Sequence, residues 1–219
     1  ASKEAELHHA MGKILVDAGV KPDYAVVDAK GDSVVGVETH EFRNGATTII
    51  GLLSNPQQNV DELGPPEFKS NQRFEKPQAV RLVAPAEFYA YDVRHAKPLG
   101  KVKALSLTVD PYEPTVIAFS PTPISRLRIA APLRIARGQT ARIGISLGET
   151  ASAATQVFHV EVLDPGGNPV SYYSGNLLGA SGAAEKVLPL AADEKTGRWM
   201  IRVKDILSGQ QQSASFDVF

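Results

Sequence analysis

From residue 23 onward, the sequence alternates apolar and polar residues at every second position in short segments. Examples are "YAVVDA", "ATTIIGLLS", "VKALSLTV" and "GRWMIRV". These segments are rich in β-branched and aromatic residues, and Gly, Asn, Pro and Asp separate them. Because successive side chains of a strand point to opposite faces, the pattern predicts antiparallel strands that each bury one face. The predicted fold class is therefore all-β, with two consecutive antiparallel β-sandwich domains.

The segment before residue 23 has a different period. Its apolar residues recur at helical spacing on one stripe, formed by Leu7, Met11, Ile14, Leu15 and Ala18. Ser2 is the predicted cap, and Gly19 followed by Pro22 is the predicted stop. One amphipathic α-helix cannot bury its stripe alone, so residues 1–22 are expected to be the remnant of a preceding domain. The chain also begins without an initiator Met or a signal peptide, which leads us to expect a piece of a longer polypeptide.

A domain boundary is predicted at "SPTPIS" (Ser120–Ser125), because its two prolines stiffen the chain and interrupt any strand ladder. We therefore predict one β-sandwich over residues 23–120 and an immunoglobulin-like β-sandwich of seven strands over residues 121–219. The first contains a tight hairpin turn at "RNGA", since the Asn-Gly pair favours such turns. It also contains a long polar loop between Asn55 and Pro77.

Composition excludes several classes of protein. The chain has 219 residues, a formal net charge of -1 and no cysteine. Near-neutral charge without a basic run argues against nucleic acid or an anionic membrane surface as a partner. The longest apolar runs, such as "TTIIGLL", are far shorter than the roughly 20 residues that span a bilayer. Without cysteine there are no disulfides, thiolate zinc sites or cysteine nucleophiles.

One polar cluster, Asp92, Arg94 and His95, lies between two apolar runs. In a strand, residues 92 and 94 share a face and residue 95 points away, so the three side chains converge only if the strand has ended. A strand that has ended here leads into a turn. We therefore interpret the cluster as the solvent-facing end of a hairpin rather than as an active site.

The remaining histidines do not predict a metal site. "THEFRN" begins like the HExxH zinc motif, but Asn44 stands four residues after His40, and the surrounding alternation predicts a strand. His8 and His9 are adjacent on the helix, so they diverge by about 100°. His159 lies out of the apolar phase and is expected on an exposed strand face. No phosphate-binding glycine loop or nucleophile elbow occurs, so we expect no catalytic residue, no cofactor and no metal.

Exposed aromatic side chains are the remaining candidates, because sugar-binding modules stack pyranose rings on them. Tyr172 and Tyr173 are adjacent, so one of them is expected to point away from the core, and Phe88 is out of phase with its aromatic neighbours. These three residues are the candidate sugar-stacking residues. Trp199 is in phase with Ile201 and is expected in the core of the second sandwich.

The first half of the chain contains, in this order, "LVDAGVKPDYAVVD", "VETHEFRNGATTIIGLLSN", "AVRLVAPAEFYAYDVRHAKPLG" and "LSLTVDPYEPTVIAFSP". These phrases resemble the carboxy-terminal region of family 42-like and related β-galactosidase-type glycoside hydrolases. In those proteins a helix that closes a flavodoxin-like domain leads into a β-sandwich, and the catalytic barrel comes earlier in the chain. The resemblance therefore implies a non-catalytic region and transfers no catalytic residue.

The second half contains "VLDPGGNPVSYYSGNLLG" and "LPLAADEKTGRWMIRVKDILSGQ". These phrases resemble macroglobulin-type and other immunoglobulin-like modules of large secreted bacterial proteins, which implies a fold and an extracellular or periplasmic location. Both resemblances lead to one hypothesis: the chain is a non-catalytic scaffold that braces the upstream catalytic domain of a bacterial glycan-processing protein or mediates its homo-oligomeric assembly. A carbohydrate-binding module that binds polysaccharide is the alternative. A free-standing hydrolase is the third interpretation.

Overall fold

The structure, a computed structural model, describes residues 3–20, 22–55, 75–148 and 154–219. It confirms an all-β chain of antiparallel sheets that begins with one helix. Most of the predicted loop between Asn55 and Pro77 lies outside the described residues. Within the described residues, the elements are α1 (Lys3–Asp17), β1 (Ala25–Val27), β2 (Val37–Asn44), β3 (Thr47–Ser54), β4 (Gln78–Asp92), β5 (Lys97–Val109), β6 (Thr115–Ser120), β7 (Arg128–Ala130), β8 (Arg134–Ile135), β9 (Thr140–Ser146), β10 (Gln156–Leu163), β11 (Gly175–Gly179), β12 (Ala183–Pro189), β13 (Gly197–Asp205) and β14 (Gln211–Val218).

The predicted stop of α1 at Gly19 is confirmed. Gly19 has a positive φ of 81°, and its N–H donates to the Val16 carbonyl at 3.0 Å. The Val20 N–H donates to the Leu15 carbonyl at 2.8 Å. These two bonds form a Schellman motif, which needs a left-handed residue that glycine adopts without steric cost. The predicted cap, Ser2, lies outside the described residues.

Strands β1 to β6 form one sheet in the described part of the chain. The strand order is β1-β4-β6-β3-β2, and β5 pairs with β4. The predicted turn at Asn44-Gly45 joins β2 to β3, and Gly45 has a positive φ of 60°. Along β4, Val80 and Leu82 are buried and Arg81 between them is exposed, as the two-residue period predicts.

Strands β7 to β14 form two sheets among the described residues, with the orders β11-β10-β13-β14-β8 and β12-β9-β7. The paired strands are antiparallel, except that β14 and β8 are parallel. The two-residue period predicts one strand over "LRIAAPLRI" (residues 127–135), but this segment is interrupted, so that β7 joins the three-stranded sheet and β8 joins the five-stranded sheet. Pro132 lies in the interruption, and its missing N–H cannot donate to a strand ladder.

Inward side chains of both sheets form one hydrophobic core, and Trp199 is fully buried in it. The Trp199 ring stacks on Phe216 with centroids 6.4 Å apart and meets the edge of Tyr173 at 6.1 Å. Its indole N–H donates to the Lys195 carbonyl at 2.9 Å, so the polar atom of the side chain is satisfied. The other buried members are Leu127, Ala141, Ile143, Ile145, Leu147, Phe158, Val160, Val162, Leu188, Leu190, Ile201, Val203 and Val218.

The chain divides into two compact units. The first unit contains Ala1–Phe42, Ile49–Phe88 and Lys101–Ile117. The second unit contains Arg43–Thr48, Tyr89–Gly100 and Ala118–Phe219. It therefore includes the β2–β3 turn and the β4–β5 turn in addition to β7–β14. A boundary after residue 120 would separate both turns from the unit to which they belong.

Candidate functional site

The cluster of Asp92, Arg94 and His95 lies at the end of the β4–β5 hairpin, where Val93 to Ala96 form the turn. The His95 N–H donates to one carboxylate oxygen of Asp92 at 3.0 Å, and the imidazole Nδ1 lies 2.8 Å from the other. The imidazole is largely exposed. Asp92 thus caps a turn, which is the role that the sequence predicts for this cluster.

"THEFRN" lies on β2, and its polar side chains make structural contacts. His40 Nε2 lies 3.4 Å from a carboxylate oxygen of Glu38. Asn44, at the position where the zinc motif needs a second histidine, donates from Nδ2 to the Thr155 carbonyl at 2.7 Å and accepts from the Thr155 N–H at 2.9 Å. In the part of the chain that the structure describes, no group of three or more His, Asp or Glu side chains is arranged to hold a metal ion.

His159 lies on the exposed face of the five-stranded sheet, with Nδ1 2.9 Å from the Asn176 side-chain oxygen. The strand register places Asn176, His159, Lys204 and Gln211 in one row across four strands. This row offers hydrogen bonds to a polar partner. Its four side chains offer no aromatic ring on which a sugar could stack.

The segment "PVSYYSGNL" is predicted as a strand, but its candidate sugar-stacking residues Tyr172 and Tyr173 lie in a turn before β11. The Tyr172 side chain is 72% exposed and Tyr173 is buried. One ring therefore points outward as expected. The two side chains diverge because they lie in a turn, and not because they alternate along a strand. The two rings meet edge to face, with centroids 4.5 Å apart.

Tyr173 supports the exposed ring from below. Its hydroxyl lies 2.9 Å from both the Pro189 carbonyl and a Glu194 carboxylate oxygen. Burial, together with the Glu194 carboxylate, raises the pKa of Tyr173 to about 12, so the phenol stays neutral at physiological pH. The third candidate, Phe88, is half-buried in the first unit beside Tyr24, with ring centroids 6.4 Å apart.

A carboxylate near the tyrosine turn is already engaged in local structure. Asp164 accepts hydrogen bonds from the N–H groups of Gly166 and Asn168, both at 2.9 Å, and pairs with the Lys195 ammonium at 2.5 Å. The hydrogen bond from Lys195, followed by that from the Asn168 N–H, lowers the pKa of Asp164 to about 2. A carboxylate held in this way fixes the "DPGGNP" loop and has little basicity for acid–base chemistry.

The apolar stripe of α1 is exposed to solvent. Its exposed side chains, which we call the α1 apolar face, are Leu7, Met11, Ile14 and Leu15, at 49–66% exposure. A contiguous apolar surface of this kind marks an interaction site more often than an inert surface. Among the described residues, no helix has the length and hydropathy needed to cross a membrane.

The opposite side of α1 faces a loop of the same unit. A groove of about 800 Å³ lies between them, and its lining includes His9, Lys13 and Val16 from the helix and Gly31 and Asp32 from the loop. On a helix of 3.6 residues per turn, His9, Lys13 and Val16 lie nearly half a turn from the centre of the α1 apolar face. Leu15 also lines the groove, but Leu7, Met11 and Ile14 do not, so the described loop leaves most of that face uncovered.

Sequence reasoning did not identify the buried carboxylate where β13 ends and the turn to β14 begins. Asp205 is fully buried there, and its Oδ2 accepts from the N–H and the hydroxyl of Ser208 at 2.9 and 2.5 Å. Gly209, with a φ of 74°, packs against the main chain of Ala96. The sequence did contain a signal for this residue. Asp205 continues the alternation of Trp199, Ile201 and Val203, which places its carboxylate on the buried face of β13.

Comparison with known proteins gives weak similarity. No family model matches the sequence, and no curated protein matches it. A candidate superoxide reductase from Thermotoga maritima is 13% identical with a TM-score of 0.32, and the match covers 44% of this chain and 88% of that one. Red sea bream transglutaminase is 13% identical with a TM-score of 0.31, and the match covers 95% of this chain and 33% of that one. Escherichia coli alpha-2-macroglobulin is 10% identical with a TM-score of 0.28, and the match covers 80% of this chain and 19% of that one. The chain thus spans a third or less of the two larger proteins. Scores this low establish neither fold nor function, and the hydrolase resemblance stays a prediction.

Proposed function

We propose that the chain is a non-catalytic accessory region of a larger bacterial glycan-processing protein, and that α1 docks on the preceding domain of the same polypeptide. The exposed α1 apolar face is the observation that carries this proposal. Burying a Leu, Ile or Met side chain contributes about 1.5–3 kcal/mol relative to leaving it exposed. A helix of 15 residues is marginal alone in water, so docking would also stabilise α1 itself.

The polar candidates support a scaffold role for the rest of the chain. Asp92 and His95 cap a turn, and Asp164 and Lys195 fix a loop, so these reactive side chains serve local structure. The resemblance of the first half to hydrolase carboxy-terminal regions is the reason for proposing a glycan-processing parent. The resemblance of the second half to modules of secreted bacterial proteins is the reason for proposing a setting outside the cytoplasm, in the periplasm or the extracellular space.

The Ile14→Asp variant of the full-length gene product tests the docking of α1. A carboxylate at the docked face would have to lose its hydration, so we expect a lower melting temperature and faster proteolysis between α1 and the preceding domain. In the isolated chain the same substitution should change the free energy of unfolding by less than about 0.5 kcal/mol, because Ile14 is exposed there.

Lys13→Glu is the matched control, since it also changes the charge but lies on the groove side of the helix. It should leave both measurements of the full-length product unchanged. Docking would be refuted if Ile14→Asp and Lys13→Glu behaved alike. If the isolated chain self-associates and Ile14→Asp abolishes that association, the partner of α1 is instead a second copy of the chain.

Polysaccharide binding is the second candidate function, and the exposure of Tyr172 favours it. The ring is held by Tyr173, which is itself anchored through its hydroxyl, so Tyr172 has the rigid backing that a stacking platform needs. An aromatic ring offers a large, flat apolar face, which a sugar ring can cover by stacking on it. The platform would consist of a single described ring, which is why we place this function second.

Affinity electrophoresis in polysaccharide gels separates the two functions. A binding module should be retarded, and Tyr172→Ala should abolish the retardation. Tyr112→Ala is the control, because Tyr112 is equally exposed but its hydroxyl donates to Glu75 at 2.8 Å outside this turn. The scaffold proposal expects equal mobility for the wild type and both variants.

A further inference from the structure

Two buried side-chain oxygens have no hydrogen-bond partner among the described residues. They are Oδ1 of Asp205 and Oε1 of Gln156, both in the second unit. Asp205 is fully buried and Gln156 is 4% exposed. A buried acceptor without a donor is costly and uncommon, so two of them in one unit need an explanation.

The two residues lie on the same face of the same sheet. Asp205 stands opposite Phe158 in the β10–β13 ladder, and Gln156 lies two residues before Phe158 on β10. The period of two places both side chains on the inner face, with Phe158 and Val203. Asp205 and Gln156 are therefore diagonal neighbours, which lie about 7–8 Å apart along the sheet and within reach of long side chains.

The two well-formed hydrogen bonds to Asp205 both reach its other oxygen. Oδ2 accepts from the Ser208 N–H and from the Ser208 hydroxyl, while Oδ1 has no partner within hydrogen-bond geometry. The Leu207 N–H lies close enough to the carboxylate to lower its pKa, but it makes no such bond to Oδ1. Among the described residues no cationic side chain pairs with this carboxylate. Burial also raises the pKa of Asp205 above the ordinary 3.8.

The titratable groups around Asp205 do not supply a counter-charge. Tyr91, from the β4–β5 hairpin, is near enough for the charge on Asp205 to raise its pKa, although burial is the larger cause. The Tyr91 oxygen accepts from the Ile124 N–H at 2.9 Å. On the adjoining strands, His159 and Lys204 lie on the opposite, solvent-facing side of the sheet.

Other charged groups of the adjoining turns pair with each other or have exposed side chains. Asp92 and His95 pair with each other at 2.8 Å. Arg94 and Lys97 of that hairpin and Arg43 of the β2–β3 turn have exposed side chains. None of these groups is among the causes of the Asp205 pKa shift, which are burial and the hydrogen bonds from Ser208 and Leu207.

We propose that Asp205 carries a proton on Oδ1 and donates it to Oε1 of Gln156, so that a neutral acid–amide hydrogen bond closes this end of the core. One proton satisfies both oxygens and removes the buried charge. The folded chain then binds this proton at pH values above 3.8, where the unfolded chain has released it. The contribution to stability is complete below pH 3.8 and is lost as the pH rises through the higher pKa of the folded state.

Carbon-13 NMR of the side-chain carboxyl groups tests this proposal in the intact chain. Asp205→Asn identifies the Asp205 signal. We expect that signal to titrate above pH 3.8, the ordinary value for an aspartate. Gln156→Met removes the acceptor and should shift the Asp205 pKa downward. If that variant does not fold, Gln156→Asn is measured instead. Its side chain keeps the amide but is one methylene shorter and cannot reach Oδ1 of Asp205, so the same downward shift of the Asp205 pKa is expected.

A buried water that donates to both oxygens is the competing occupant, and it would leave Asp205 ionised. In that case Asp205 would titrate at or below pH 3.8, or its pKa would not respond to either Gln156 variant. Either result overturns the proposal. Thermal unfolding gives a second readout, because the wild type should lose stability relative to Asp205→Asn as the pH rises. A difference between the two melting temperatures that does not change with pH also overturns it.

Discussion

Replacing Trp199 by alanine is expected to lower the free energy of unfolding by about 3–5 kcal/mol. The side chain is fully buried and packs on Phe216 and Tyr173, so its removal leaves a large cavity in the core between the two sheets. It also leaves the Lys195 carbonyl without the indole donor. Domains of this size have a total stability of about 5–15 kcal/mol, so much of the second unit's stability would be lost.

Chemical denaturation of the intact chain measures this effect. Tyr172→Ala is the matched control, because it removes a neighbouring aromatic ring that is exposed, and it should cost less than about 0.5 kcal/mol. A Trp199→Ala variant that unfolded at the same denaturant concentration as the control would contradict the core assignment of Trp199.

Gly209→Ala is expected to destabilise the second unit by about 2–5 kcal/mol, the sum of two separate costs. An alanine at a φ of 74° is strained by about 1–2 kcal/mol. A Cβ atom would also lie 2.7 Å from the carbonyl carbon and the Cβ of Ala96, and closer still to its carbonyl oxygen. Main-chain atoms cannot rotate away as a flexible side chain can, so overpacking adds about 1–3 kcal/mol.

Gly167→Ala separates these two costs. Gly167 has a φ of 80°, but a Cβ atom there would meet nothing within 4 Å, so this variant should lose only the conformational part, about 1–2 kcal/mol. Both variants are compared by denaturant unfolding. Equal losses would mean that the contact between Gly209 and Ala96 is not close in solution.

Much of the fold could be predicted because strands and glycine turns depend on local properties. A strand buries one face when its apolar residues recur at every second position. Ile143, Ile145 and Trp199 follow this pattern and are buried. The positive φ at Gly19 and Gly45 reflects the permissive backbone of glycine, which the sequence reports directly.

Features that depend on distant contacts could not be predicted in the same way. The segment around Tyr172 was predicted as a strand but forms a turn, in which the Tyr173 N–H bonds to the Val170 carbonyl at 3.1 Å. The β2–β3 turn belongs to the second unit partly through Asn44 and Thr155, which are 111 residues apart in the sequence. Local periodicity contains no information on such pairs.

The candidate surface was predictable in part. Helical spacing revealed the apolar stripe of α1 and led to the expectation of a partner. Burial of a residue such as Asp205 follows from the phase of β13, but the missing donor at Oδ1 depends on how the adjoining turns pack. Sequence patterns therefore identified the exposed apolar face of α1 and did not identify the buried acid.

Hydrogen exchange of the α1 amides tests the central claim that this helix docks on another part of a larger protein. In the isolated chain the α1 apolar face is exposed, so the amides of Lys3–Asp17 should exchange as in a marginally stable helix. In the full-length gene product we expect exchange to slow by about 100-fold or more, which corresponds to about 2.7 kcal/mol of added local stability. Equal exchange rates of α1 in the two proteins would contradict the account.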